Sequence, residues 1–165
     1  TRTTTGEQVA NCAESAVSKL RAQGSLATEI TVFAMTNRFK EDAPQISSGI
    51  CTPFAEATAD HRRVVSASVE ACRRLYRPGY GYKKAGVVIT KIIQEADYTR
   101  SLFADAAADD RDARLSSSID SITRSFGPGA VLFGVQGDGR IRAAREHQSP
   151  HYTTLWSDIP TVKVQ

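Results

Sequence analysis

Apolar positions recur at helical spacing near the start of the chain. Val9, Cys12, Ala13, Ala16, Val17 and Leu20 fall at i, i+3, i+4, i+7, i+8 and i+11, which predicts a helix over 6–23. Thr5 with Gln8 makes a capping box, and Gly24 is a stop. Ile30 to Phe39 is rich in β-branched and aromatic types and predicts a strand. Lys40 to Ser47 is a polar loop, and a second strand is expected from Gly49 to Glu56. Pro53 lacks the N–H that a ladder needs, so an edge or a bulge is expected there. A second helix is predicted over His61–Tyr76, capped by Asp60, with Val65, Ser68, Cys72 and Leu75 inward. After Pro78, Gly79 and Gly81 a third strand is expected from Lys84 to Ile93.

These elements read α-β-β-α-β. One more strand upstream gives an α+β fold, a βαββαβ sandwich with helices on one sheet face. The remnant of that first strand is expected at Thr1 to Thr5, and the start, without Met, reads as a piece of a longer protein. Beyond residue 95 the pattern changes. Ala104 to Asp112 reads as an acidic linker or frayed helix start. Leu115, Ile119, Ile122 and Phe126 predict a helix over 114–126, ended by Gly127-Pro128-Gly129. Ala130 to Val135 is expected to be a strand, and Gly137-Asp138-Gly139 a tight turn. The expected division is 1–94, a linker at 95–107, and a small α/β appendage at 108–165.

Charge adds a candidate partner. Net charge is only +3. Residues 1–94 hold 13 Lys/Arg against 8 Asp/Glu, and residues 95–165 hold 8 against 10. The stretch His61–Lys91 holds eight basic residues and one acid, Glu70. That asymmetry fits a polyanion-binding half, although a solvated basic face is the commoner outcome of charge alone. No apolar run approaches the ~20 residues of a membrane span. Three cysteines with no C-x-x-C pair argue against a disulfide or a zinc site and fit a reducing cytoplasm. Cys12 and Cys72 are expected as small buried hydrophobes.

Catalytic signatures are weak. Arg77 to Lys84 is glycine-bearing but lacks the phosphate-loop pattern, and it follows a helix and precedes a strand. His147 and His151 are separated by Pro150 and have no Cys or acid at metal spacing. No nucleophile elbow is present, so a hydrolase has little support. Metal-dependent nucleotidyl transfer needs clustered carboxylates, and the acids here sit at helix starts, in turns or in the linker. No catalysis and no cofactor are expected of these residues.

Three motifs carry a resemblance. Ser149-Pro150-His151-Tyr152-Thr153-Thr154-Leu155-Trp156-Ser157-Asp158-Ile159-Pro160 resembles the C-terminal signature of UmuC-type, polymerase V-like translesion polymerases of the Y family. Gly129 to Gly137 resembles that family's G-x-x-x-F-A-x-Q-G stretch. Tyr82-Lys83-Lys84-Ala85-Gly86-Val87 resembles its Y-x-K-A-G-V start of the last little-finger strand. The resemblance implies a little finger that grips template–primer duplex DNA, with the catalytic carboxylates and their Mg²⁺ lying upstream.

On a regular strand Lys84, Gly86, Val88 and Thr90 share a face. A cation, a bare backbone N–H and a hydroxyl suit phosphate contacts. Lys83 and Lys91 add charge, and Thr36 and Arg38 extend the track from the neighbouring strand. Many family members carry Arg where Val88 stands, which implies a weaker grip here. Thr99 to Phe103 stands where the family carries a Q-L-x-L-F peptide that docks on the sliding clamp, and Leu102 and Phe103 keep its apolar anchors. The family also associates with a UmuD-like dimer and a recombinase filament. Tyr152 and Trp156 suit such an interface, or else pin the tail to its own core. The rival reading is a protein-interaction module with no direct role on DNA.

Overall fold

The computed structural model describes residues 2–40, 42–99 and 106–137. The chain runs α1 (Arg2–Ala22), β1 (Ser25–Thr36), β2 (Ser47–Thr58), α2 (His61–Leu75), β3 (Tyr82–Gln94) and α3 (Ala106–Phe126). Short 3₁₀ turns follow β3 at Glu95–Asp97 and α3 at Gly134–Gln136. The expected α+β class is observed: α1 and α2 pack on one face of a three-stranded antiparallel sheet ordered β2-β1-β3.

Burial explains the layers. Val9, Ala10, Ala13 and Val17 of α1 meet Val64, Val65, Val69 and Cys72 of α2 over Ile30, Val32 and Ala34 of β1. The α1 face is thus Val9-Ala10-Ala13-Val17-Leu20, while Cys12, expected inside, is exposed. Gly24, at φ 65°, provides the left-handed turn from α1 into β1. Asp60 caps α2 as expected, its carboxylate accepting from Arg63 N at 2.7 Å. Pro53 is tolerated because β2 is an edge strand, and the β1–β2 register breaks beside it, between Ala27 and Glu29.

Two further expectations are corrected. Residues 2–5 are the first turn of α1, not the remnant of a strand. Ala130 to Val135 forms no strand: Phe133 instead packs on α1 and α2 beside Ala10, Ala13, Val65 and Val69, stacked on His61 at 6.1 Å. Gln136 fixes this segment by donating to Asn11 Oδ1 at 2.7 Å.

The helix expected over 114–126 is present as α3, but its apolar stripe is not what docks: Leu115, Ile122 and Phe126 are exposed, and of the four only Ile119 is buried. The docked face is polar. Asp109, Asp112, Ser116 and Asp120 fall at i, i+3, i+7 and i+11, one face of a helix. Asp120 binds Arg21 at 2.7 Å and His61 Nε2 at 3.2 Å. Asp112 pairs with Arg62, and Asp109 accepts from Arg63 at 2.8 Å. Ser116, fully buried, donates to Asp60 at 3.2 Å. These acids sit against the N-terminal turn of α2, where the helix dipole also favours negative charge.

Candidate functional site

Both helices cover the same side of the sheet, so its other face is open among the described residues. Cross-strand register assembles that face in rows. Met35 lies between Ser47 and Lys84, Phe33 between Gly49 and Gly86, and Thr31 between Cys51 and Val88. The central ring, Phe33, spreads over Gly86, where an added Cβ would come within 2.8 Å of it. The glycine is what allows the ring to lie flat. The bare backbone expected at Gly86 is therefore covered.

Two irregularities of β3 decide which cations reach this face. Met35 pairs with Lys84 but Thr36 pairs with Tyr82, which leaves Lys83 as the extra residue of a bulge. Tyr82 and Ala85 both pack against the core. Strict alternation cannot place both inward; the bulge does, and it turns Lys83 and Lys84 outward together. Both are exposed. A second break lies opposite Glu29 and Ile30, with Thr90 as the extra residue. Thr90 and Lys91 consequently both reach one carboxylate: Glu29 accepts from Thr90 Oγ1 at 2.9 Å and from Lys91 Nζ at 3.0 Å. Sequence reading assumed an unbroken pleat and so split each pair between faces.

The face is electrically uneven. At one end stand Lys83 and Lys84. Arg38, exposed in the β1–β2 connection, lines a shallow hollow with Met35 and Ser47 of the same corner. At the other end Glu29 balances Lys91. Lys91, then Thr90, holds the Glu29 carboxyl below its ordinary range, and Glu29 in turn raises Lys91. Burial first, and then Glu29, pushes the neighbouring Cys51 thiol up. Thr36 is not available at the surface: its hydroxyl is buried and bonds both the N–H and the carbonyl of Ile46, at 3.0 and 3.3 Å.

The basic stretch 61–91 is not one patch. Among the described residues, four of its eight cations have carboxylate partners: Arg62 and Arg63 on α3, Arg73 with Glu70, and Lys91 with Glu29. Leu102, Phe103, Tyr152 and Trp156, with His147 and His151, lie outside the described residues. Among the described residues no three His, Cys, Asp or Glu side chains are grouped to hold a metal ion. No described helix is long and apolar enough to cross a membrane.

Residues 1–102 match the model of the impB/mucB/samB family C-terminal domain. Residues 113–162 match a second model, described as a domain of unknown function. Protein UmuC of Salmonella typhimurium strain LT2 is 30% identical over 158 residues, covering 95% of this chain and 37% of that protein. Protein ImpB of Salmonella typhimurium is 29% identical over 159 residues, covering 96% and 37%. Protein MucB of Escherichia coli is 29% identical over 161 residues, again 96% and 37%. The chain thus spans a little over a third (37%) of the length of these relatives.

Proposed function

The chain belongs to the impB/mucB/samB family, and we propose that it is the duplex-DNA grip of an error-prone translesion DNA polymerase, a part that holds template–primer without doing chemistry. The observation that carries this reading is the open sheet face, where a bulge turns Lys83 and Lys84 outward at the end of the sheet from which the Arg38 connection also leaves. Flexible ammonium groups on an uncovered sheet meet phosphates as point charges and position a duplex without reading its bases. Lys91 contributes less, because Glu29 competes for it. Thr36, Gly86 and Thr90 act as framework: each spends its polar or bare surface on an internal contact.

The division into a DNA-gripping unit at 1–94, a linker at 95–107 and a tail at 108–165 belongs to the same proposal. So do the sliding clamp as partner of Leu102 and Phe103, and a UmuD-like dimer or recombinase filament as partner of Tyr152 and Trp156. The rival, a protein-interaction module, is separated by titrating labelled duplex DNA across a salt series. Sequence-independent binding whose log K falls with log salt, at about −0.9 per neutralised phosphate, is expected. Binding insensitive to salt, or none at low salt, favours the rival.

Glu29 supplies a second check. Glu29→Gln removes the carboxylate that Lys91 contacts among the described residues and leaves a hydrogen-bonding group for Thr90. Duplex affinity is expected to rise several-fold at low salt, with the slope steeper by about 0.9. An unchanged slope places Lys91 outside the track.

A further inference from the structure

In the connection from β1 to β2, residues 37–40 and 45–46 are tied by side-chain hydrogen bonds. Asn37 Oδ1 accepts from Phe39 N at 3.2 Å. Gln45 Nε2 donates to the carbonyls of Arg38 and Lys40, at 3.2 and 3.0 Å. The Thr36 hydroxyl closes the base of the loop on Ile46. This pinned tip presents the Phe39 ring 94% exposed, between two cations. Single exposed apolar side chains are ordinary on proteins. Here the ring is carried on a hydrogen-bonded loop, flanked by Arg38 and Lys40, at the end of the open face where Lys84 lies opposite Met35. Aromatic rings set among cations form the sequence-tolerant grip of single-stranded nucleic acid, because every base has a π-face.

We infer that Phe39 is a stacking platform for an unpaired base where the duplex held by the sheet runs into single strand. This rests on the duplex-DNA reading above. Lys83, Lys84 and Arg38 hold the last paired phosphates, Arg38 and Lys40 hold the backbone on either side of the ring, and the first unpaired base lies on Phe39. The contact is blind to base identity.

The test uses the whole chain and two labelled probes, a blunt duplex and the same duplex with a five-nucleotide single-stranded extension. The wild type is expected to prefer the extended probe by about tenfold, within the range that one stacked base contributes. Phe39→Ala and Phe39→Leu should both lose that preference while binding blunt duplex with unchanged affinity and salt slope. Phe39→Trp should retain it. Circular dichroism checks that each variant is folded. The absence of any preference in the wild type, or its survival in both Phe39→Ala and Phe39→Leu, overturns the inference and leaves the duplex reading standing. Failure to bind either probe overturns both.

Discussion

Replacing Lys83 and Lys84 together by Ala should flatten the salt dependence of duplex binding by roughly 1.8 in the log–log slope, two phosphates at about 0.9 each. The deficit relative to wild type should therefore be largest at low salt. Between about 50 and 200 mM it should shrink about tenfold, since a fourfold change in salt raised to the power of ~1.8 is about twelve. Fold stability should be little changed, because both lysines are exposed and the bulge that turns them outward is fixed by Tyr82 and Ala85 in the core. A sharper form of the experiment compares the single variants. If the bulge makes the two ammonium groups neighbours on one face, each single change should remove about half of the slope. A contribution from Lys84 with none from Lys83 would restore the alternating strand that the sequence implied. A double variant with unchanged slope would remove this face from the DNA interface.

That contrast shows where sequence reasoning stops. Helices and strands were legible because their periods of 3.6 and 2 are written in Val, Ile and Leu. The α2 cap at Asp60 and the edge position of Pro53 were legible because each follows from one residue's hydrogen-bonding capacity. Bulges were not legible. They arise from how Tyr82 and Ile89 settle against two helices, and a single strand carries no record of that. The first residues of β1 were also missed, since Ser25, Leu26 and Ala27 lack β-branching and earn their place by burial. Ala130 to Val135 has a strand's composition, yet a groove between α1 and α2 accepts Phe133 better than a sheet edge accepts the whole run. For the candidate site, the lysines were visible and their common face was not. The linear count of basic residues could not reveal that α3 neutralises Arg62 and Arg63 on the opposite side of the molecule.

The docking of α3 by its polar face leads to the second large effect: Asp60→Ala should destabilise the fold by about 2–4 kcal/mol and release α3 first. One Asp60 oxygen caps α2 through Arg63 N, and losing such a cap costs about 1 kcal/mol. The other accepts from the buried Ser116 hydroxyl, and leaving that donor unpaired costs about 1–3 kcal/mol. Asp60→Asn keeps an excellent cap through Oδ1 and turns its amide N–H toward Ser116, whose hydroxyl then accepts instead of donating, so it should fall within about 1 kcal/mol of wild type. Urea denaturation measures the totals, and amide hydrogen exchange locates them. In Asp60→Ala, amides of α3 should lose protection before those of β1, because β1 lies at the centre of the sheet under both helices. Asp120 with Arg21 and His61, and Asp112 with Arg62, would still tether the helix, so its loss should be graded rather than complete. The result bears on function because Ser116 lies in the segment matching the domain of unknown function, whereas Asp60 lies in the segment matching the family domain. If α3 protection falls with Asp60→Ala, the Asp60–Ser116 hydrogen bond couples the two segments energetically, beside the ion pairs of Asp120. If α3 keeps full protection while the total drops only by the cost of a cap, the ion pairs and the buried Ile119 suffice to hold the helix, and the Ser116 contact contributes nothing to joining them.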